Sequence, residues 1–291
     1  MADSPQPVTR SVRVNGIALS YYEWRAKPGN QEPPLLIAHA TGFHGRCYSA
    51  IAELFPDRRV IALDLRGHGR SEGGPIEHWR TVVDDVLAFL DQLRIRRAVG
   101  VGHSMGGHVL LHCASENPEA FSRLVLFDPV IMARDYYEID PESMAAAAGN
   151  PAIRRKRDFA SPEAMMERFS TREPYSLFDA RVFEDYCRFG LTERTGGDYV
   201  LACSPETEGS IYASSRSNTG ILDAAATVQV PVLVVRARQG PMGDFKNSPT
   251  WPGLAGIIPH GTDLDRSDMT HFHPFQDPAD AARIIREFEA G

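Results

Sequence analysis

Short apolar runs bounded by turn-forming residues recur along much of the chain. Alternating apolar and polar side chains at 11–14 and 18–23, joined through Asn15-Gly16, predict a β-hairpin near the N-terminal end. Continuous apolar runs are typical of strands that are buried on both faces of a sheet. Five such runs follow the hairpin, at residues 35–38, 60–63, 98–101, 124–127 and 232–235.

Helical periodicity fills several of the intervals between these runs. The valines and leucines between residues 82 and 93 recur at helical spacing, with aspartates on the other faces. Residues 105–113 and 278–288 are predicted to form two further helices. Strands that alternate with helices predict an α/β fold in which helices cover both faces of a mainly parallel sheet.

The region 131–225 interrupts this alternation. It lacks strand-like runs and is rich in Arg, Glu, Met, Phe and Tyr. We interpret it as a mostly helical cap inserted into one core, which is formed by residues 1–130 and 226–291. The basic cluster at 154–157 is interpreted as a solvated helix face.

Composition narrows the classes of partner and compartment. The formal net charge is −7, which argues against nucleic acid or an anionic membrane as the main partner. Four widely spaced cysteines without a Cys-x-x-Cys pair indicate reduced thiols. No signal peptide and no apolar run of membrane-spanning length is visible, so we expect a soluble cytoplasmic protein. Nucleotide, flavin and metal motifs are also missing, and no cofactor or metal is expected.

A serine directly follows the strand predicted at residues 98–101. Ser104 is the third residue of Gly102-His103-Ser104-Met105-Gly106, between that strand and the helix at 105–113. A Gly-x-Ser-x-Gly sequence in a strand-turn-helix context predicts a nucleophile held in a sharp turn. The two glycines leave room for neighbouring backbone that a Cβ atom would crowd.

Three more motifs occur in an informative order around this serine: His-Ala-Thr-Gly-Phe-His-Gly at 39–45, Asp-Leu-Arg-Gly-His-Gly-Arg-Ser at 64–71 and Thr-His-Phe-His-Pro at 270–274. With them the chain resembles the α/β-hydrolase superfamily, in particular its cap-bearing, esterase-like members. The resemblance implies a mostly parallel sheet of about eight strands flanked by helices, with an inserted helical cap.

The resemblance also implies a site for the oxyanion. In that family, backbone amides of the loop after the third strand and of the residue after the nucleophile bind this oxygen. Carried onto this sequence, the resemblance implies that these donors are the N–H groups of Thr41 and Met105. Ala40 stands where the family usually has glycine, so Gly42 and Phe43 remain alternative donors.

The general base is assigned by similarity to the family's Gly-His-Phe-x-Pro segment. His271 is the expected base, since a neutral imidazole can accept the serine proton and return it to the leaving group. His273 lies two residues further on and is expected to point to the opposite side. His103 is expected to pack beside the nucleophile. It is also a candidate substrate contact, together with Phe43, Tyr136 and Tyr137.

The acidic member of the triad departs from the family pattern. Family members most often carry it just after the strand that corresponds to 232–235, where this chain has no carboxylate. Asp128 follows the strand at 124–127, and Asp244 lies 27 residues before His271. Asp128 is preferred because a strand end holds it rigidly, and Asp244 stays open as the alternative.

These residues predict a serine hydrolase that cleaves carboxylic esters of small to medium hydrophobic substrates. The expected partner is a small-molecule ester or a related acyl compound. Carbon–carbon bond hydrolysis, lactone opening and perhydrolysis are alternatives on the same residues, since one fold hosts many reactions. Carbon–carbon hydrolysis would need a cation for a carboxylate-bearing substrate, and Arg46 is the nearest candidate. A ligand-binding receptor of low turnover is a further alternative.

Overall fold

The computed structural model describes residues 6–138, 151–241 and 244–291. Eleven strands lie in these ranges: β1 (Val8–Val14), β2 (Ile17–Trp24), β3 (Leu35–Ala38), β4 (Val60–Leu63), β5 (Ala98–His103), β6 (Phe121–Phe127), β7 (Asp158–Phe159), β8 (Leu191–Glu193), β9 (Tyr199–Leu201), β10 (Val232–Ala237) and β11 (Gly261–Arg266). Eight of the strands described form one sheet, in the order β1-β2-β4-β3-β5-β6-β10-β11.

The eight-stranded sheet confirms the predicted α/β fold class. β1 and β2 form the predicted hairpin, with Asn15 and Gly16 at positive φ in its turn. β2 pairs with β4 in antiparallel orientation, and every pairing from β4 to β11 is parallel. All five predicted apolar runs lie within strands β3, β4, β5, β6 and β10.

Strand β11 has no counterpart in the sequence analysis. It pairs with β10 at the edge of the sheet, and its residues are partly or largely exposed. Its sequence, Gly-Thr-Asp-Leu-Asp-Arg, lacks the apolar run that marks the buried strands. An edge strand with an open face needs few apolar residues, so this strand could not be recognised from hydrophobicity.

Eleven α-helices lie in the described ranges: α1 (Ser49–Ala52), α2 (Arg80–Gln92), α3 (Met105–Glu116), α4 (Arg134–Tyr137), α5 (Pro162–Phe169), α6 (Ala180–Phe189), α7 (Pro205–Ala213), α8 (Ile221–Ala225), α9 (Leu254–Ile257), α10 (His273–Gln276) and α11 (Pro278–Ala290). The three predicted helices correspond to α2, α3 and α11.

Two hydrophobic layers cover the opposite faces of the sheet. In β3, Leu36 and Ala38 belong to the layer that contains α2 and α3. Leu35 and Ile37 belong to the other layer, which contains α1 and α11. Because successive side chains of a strand point to opposite faces, a continuous apolar run fills both layers at once.

The chain between β6 and β10 carries its own small sheet. β7, β9 and β8 pair in antiparallel orientation, whereas the sequence analysis expected no strands in this region. These strands have only two or three residues, too few to show a period of two. Helices α4 to α8 contain more of the described residues of this region than the three strands do. The boundaries 131–225 stay a prediction, and residues 139–150 lie outside the described ranges.

Helix length also bears on membrane insertion. Among the helices that the structure describes, none is long and apolar enough to cross a membrane.

Candidate active site

Ser104 lies on a sharp turn between β5 and α3. Its backbone has φ 57° and ψ −119°, a strained conformation for a residue with a Cβ atom. A Cβ at Gly102 would lie 2.5 Å from Cα of Gly107, and one at Gly106 would lie 2.1 Å from the carbonyl oxygen of Ala38. Glycine at 102 and 106 therefore lets α3 pack directly against the ends of β5 and β3.

His271 joins this serine to a carboxylate. Its Nε2 lies 3.0 Å from Oγ of Ser104, and its Nδ1 lies 2.5 Å from Oδ2 of Asp128. The Asp128 side chain is 3% exposed and that of His271 is 13% exposed. When Nδ1 carries the proton and donates a hydrogen bond to the carboxylate, Nε2 is free to accept the serine proton. The structure thus brings together the three residues predicted for the triad.

Asp128 is held by more than the histidine. Its Oδ1 accepts hydrogen bonds from the backbone N–H of Ala237, at 3.0 Å, from the hydroxyl of Ser248 and from that of Thr250, at 3.3 Å. Burial by itself would raise the pKa of this carboxyl. The hydrogen bonds and charge of His271, with those from Ser248 and Ala237, hold the pKa below its ordinary value.

Ser248 and Thr250 are functional residues that the sequence analysis missed. They lie in the chain after β10, where nothing in the local sequence distinguishes them from other loop hydroxyls. Asp128 directly follows β6, and the loop after β10 folds back over it, which only the tertiary structure shows. Both hydroxyls fix the orientation of the carboxylate.

Asp244, the alternative acid, is placed elsewhere, and this prediction is wrong. Its side chain is exposed, and its Oδ1 accepts the N–H of Lys246 at 3.0 Å within the same loop. The short hydrogen bond from His271 goes to Asp128 instead. The Asp244 loop still contacts the base, because the backbone N–H of His271 donates to the carbonyl of Lys246 at 3.0 Å.

The loop after β3 offers a limited set of amide donors. The N–H of Gly42 donates to Nε2 of His68 at 3.1 Å, and that of Phe43 donates to the carbonyl of Ala40 at 3.1 Å. Among the described residues, the amides of Thr41 and Met105 have no hydrogen-bond partner. The hydroxyl of Thr41 contacts the Met105 sulfur at 3.6 Å, so the two residues lie side by side. Gly42 and Phe43 are therefore already engaged, and Thr41 and Met105 remain as the candidate oxyanion donors.

Comparison with known proteins agrees with this fold. Residues 35–284 match the profile described as the alpha/beta hydrolase family. The chain belongs to the alpha/beta hydrolase family. It is 37% identical over 122 residues to the uncharacterized hydrolase YugF of Bacillus subtilis, and the aligned segment covers 40% of this chain and 43% of that protein.

Further relatives of this alpha/beta hydrolase include lipases. Monoglyceride lipase of Homo sapiens is 30% identical over 137 residues, covering 44% of this chain and 45% of the relative. The chain spans less than half the length of the curated relatives it matches first. The solved structure of E-2-(acetamidomethylene)succinate hydrolase superposes with a TM-score of 0.79 at 20% identity, covering 98% of this chain and all of that one. At this identity the likeness shows the fold alone.

In this alpha/beta hydrolase, Phe43 is the centre of an aromatic cluster between the core and the region after β6. It is buried and lies 4.8–6.0 Å, between ring centroids, from four other rings. Phe178 and Tyr186 come from the region after β6, and Phe272 and Phe275 follow the base. The structure places Phe43 beside the chain that carries His271, and its role as a substrate contact stays a prediction.

Tyr136 and Tyr137 belong to the other hydrophobic layer. The N–H of Met132 donates to the hydroxyl of Tyr137 at 3.1 Å, and the hydroxyl of Tyr136 lies 3.2 Å from that of Ser215. Neither contact involves the triad or the Phe43 cluster. Their role in substrate binding stays a prediction, while the contacts observed are those of packing.

The two other histidines near the triad differ in their hydrogen bonding: among the described residues, both ring nitrogens of His103 have partners, whereas only Nε2 of His273 has one. His103 has no exposed surface, and both ring nitrogens are hydrogen-bonded, one to Tyr48 and one to the backbone of His271. The predicted contact between His103 and substrate is therefore wrong. Nε2 of His273 lies 2.7 Å from Oδ2 of Asp280, a residue in the first turn of α11. His273 does not contact Ser104.

A largely buried ion pair lies against the loop after β3. Nη1 of Arg155 donates to Glu208, and its Nη2 donates to the hydroxyl of Tyr186 at 2.6 Å and to that of Tyr175 at 3.3 Å. A Cβ at Gly42 would lie 2.7 Å from Oε1 of Glu208, so the pair contacts the loop directly. The interpretation of residues 154–157 as a solvated face is wrong for Arg155.

Arg46 packs against α6, in the region that follows β6. Its side chain is buried, with the guanidinium 4.2 Å from the ring centroid of Phe189 and 4.0 Å from Asp185. The predicted role of Arg46 as a carboxylate contact therefore finds no support. In the part of the chain that the structure describes, no cluster of three or more His, Cys, Asp or Glu residues is arranged to hold a metal ion.

Proposed function

We propose that this protein hydrolyses carboxylic esters of small to medium hydrophobic substrates through an acyl-enzyme on Ser104. The observation that carries the proposal is the continuous chain of hydrogen bonds from Ser104 Oγ through His271 to Asp128. A serine becomes a useful nucleophile when a base accepts its proton and a third group orients that base. The strained turn at Ser104 adds support, since strain of this kind clusters at reactive residues.

The first half of the reaction acylates the serine. Oγ of Ser104 attacks the carbonyl carbon of the ester while its proton passes to Nε2 of His271. The carbonyl oxygen becomes an oxyanion, which the N–H groups of Thr41 and Met105 stabilise. Loss of one such donor costs about 3–4 kcal/mol in comparable enzymes. His271 then returns its proton to the departing alkoxide, the carbon–oxygen bond breaks, and the alcohol leaves.

The second half releases the acid. A water molecule gives a proton to Nε2 of His271 and attacks the acyl carbon. A second oxyanion forms, and its collapse returns the proton to Oγ of Ser104 and frees the carboxylic acid. During both halves the imidazole is transiently cationic. Asp128, whose pKa is held below its ordinary value, remains a carboxylate and stabilises that charge.

The chemistry of the surroundings favours a neutral, apolar substrate. The rings around Phe43 supply an apolar wall. Arg155 is paired with the carboxylate of Glu208, and Arg46 is buried 4.0 Å from the carboxylate of Asp185, so neither presents a free charge to a substrate acid. This balance weighs against carbon–carbon hydrolysis of ketoacids. Lactones are internal esters and would follow the same steps.

Labelling with a fluorophosphonate, read by intact mass, tests the proposal. The wild-type protein should gain one adduct, and Ser104→Ala should gain none at the same concentration and time. Esters of increasing acyl length then measure kcat/KM, with short and medium chains expected to be preferred. A folded wild-type protein that gains no adduct would overturn the proposal in favour of a ligand-binding receptor.

A further inference from the structure

A buried chain of hydrogen bonds connects the oxyanion loop with the base. The backbone N–H of Ala40 donates to the hydroxyl of Tyr48 at 3.3 Å. That hydroxyl lies 2.8 Å from Nδ1 of His103, and Nε2 of His103 lies 2.8 Å from the carbonyl oxygen of His271. Ala40, Tyr48 and His103 are all 0–2% exposed. The chain therefore runs through the interior, shielded from competing water.

The direction of each bond in this chain follows from its ends. The carbonyl of His271 can only accept, so Nε2 of His103 must carry a proton. In a neutral imidazole Nδ1 is then an acceptor, and the hydroxyl of Tyr48 must donate to it. The oxygen of Tyr48 in turn accepts the N–H of Ala40. One tautomer of neutral His103 satisfies every group.

The environment keeps His103 in this neutral state. Burial, supported by the neighbouring His271, lowers the pKa of His103 to about 3. Its ring therefore stays neutral throughout the pH range in which His271 could act as a base.

The chain touches each part of the proposed site at its backbone. Ala40 directly precedes Thr41, a candidate oxyanion donor, and His103 directly precedes Ser104. The backbone of His271 is held by two hydrogen bonds: its N–H donates to the carbonyl of Lys246, and its carbonyl accepts from Nε2 of His103. A displacement of about 1 Å in a reacting group can cost about 100-fold in rate.

We propose that His103 and Tyr48 are positioning residues that hold the backbone of His271, and through Ala40 the oxyanion loop, in register with Ser104. Neither residue touches substrate. The proposal rests on the esterase function proposed above.

Two substitutions of His103 separate its two hydrogen bonds. In His103→Gln the side-chain amide reaches the position of Nε2 and keeps a donor for the His271 carbonyl. In His103→Asn it reaches only the position of Nδ1 and keeps the contact with Tyr48. We expect kcat to fall about 10- to 100-fold in His103→Asn, with KM changed less than about threefold, and expect His103→Gln to recover most of the loss.

Removal of the Tyr48 hydroxyl tests the other end of the chain. Tyr48→Phe should lower kcat and the rate of fluorophosphonate labelling by about 10-fold. Tyr21→Phe removes the hydroxyl of another buried core tyrosine and should leave both rates unchanged. The proton between His271 and Asp128 should give a downfield NMR signal that shifts in Tyr48→Phe and His103→Asn and stays in place in Tyr21→Phe.

The outcomes distinguish this inference from the proposed function. Folded variants of His103 and Tyr48 that react at the wild-type rate, with the downfield signal unmoved, would overturn the inference alone. Equal losses in His103→Gln and His103→Asn would also contradict it, since the bond to His271 would then not matter. If the wild-type protein is not labelled, the esterase proposal fails, and the NMR signal still decides whether this chain positions His271.

Discussion

The core and the region between β6 and β10 use different polar chemistry. All ten histidines of the chain lie outside residues 131–225, whereas that region is rich in arginine. In the core, His39, His68 and His103 are buried as neutral rings whose nitrogens bond to backbone or side-chain partners. In the region after β6, the buried polar contact beside the site is the Arg155–Glu208 ion pair.

This contrast has a physical reason. The proposed ester hydrolysis would create charge twice, on the oxyanion and on His271, and a fixed charge nearby would compete for either one. Neutral imidazoles can be buried and can bond through both nitrogens. Because they carry no charge, they do not compete with Asp128 in stabilising the cationic form of His271. The ion pair of Arg155 and Glu208 is self-compensated, so it can lie against Gly42 without adding net charge.

The largest effect is expected from replacing Asp128, the carboxylate that bonds to His271. Asp128→Asn should lower kcat about 10⁴-fold, because an amide cannot hold His271 in the required tautomer or stabilise its cation. Asp244→Asn is the matched control and should retain wild-type kcat, since Asp244 bonds only within its own loop. Ester hydrolysis kinetics and thermal unfolding of both variants measure the difference. A reversed order of activity would contradict the assignment of Asp128.

The buried histidines should also make the core sensitive to acid. Burial lowers the pKa of His44, His103 and His108 to about 3 and that of His68 to about 4, and holds His39 well below its ordinary value. The unfolded chain binds these protons below pH 6.5 and the folded protein does not. Their contribution to stability is therefore complete above pH 6.5 and is lost as the pH falls. Below pH 6.5, each buried histidine lowers the free energy of unfolding by about 1.4 kcal/mol for each unit by which the pH falls.

Urea unfolding between pH 7.5 and pH 5 measures this loss. Asp64 opposes it, because burial raises the pKa of its carboxyl to about 6, so its contribution grows as the pH falls through that value. The free energy of unfolding should still fall as the pH is lowered below 6, with a slope that corresponds to several protons taken up on unfolding. His108→Gln should reduce that number by about one. A slope below one proton would show that these rings are not held neutral.

The sequence predicted the core of the site better than its surroundings, because the signals differ in range. Ser104 was recognised because its strand, turn and helix are consecutive, and the geometry follows from a few residues. The choice between Asp128 and Asp244 depended on how the loop after β10 folds, which no local pattern determines. The pair of Arg155 and Glu208 joins residues 53 positions apart.

The ion pair of the region after β6 has a matched surface pair on the same two segments. Arg155–Glu208 and Arg157–Glu206 both join residues 155–157 to α7, but the side chains of the first pair are only 18% and 8% exposed and those of the second are 47% and 58% exposed. Replacing one partner leaves an uncompensated buried charge in the first case only. Arg155→Met should therefore destabilise the protein by about 3–5 kcal/mol, and Arg157→Met by up to about 1 kcal/mol.

The double variant Arg155→Met/Glu208→Leu shows whether the loss of stability in Arg155→Met comes from the unpaired charge that it leaves on Glu208. It removes both charges, so it should recover much of the stability that Arg155→Met loses. Urea unfolding of the single and double variants measures the coupling between the two residues. If Arg155→Met and Arg157→Met unfold alike, the first pair is solvated, and the contrast between a neutral core and an ion-paired region after β6 does not extend to the loop at Gly42.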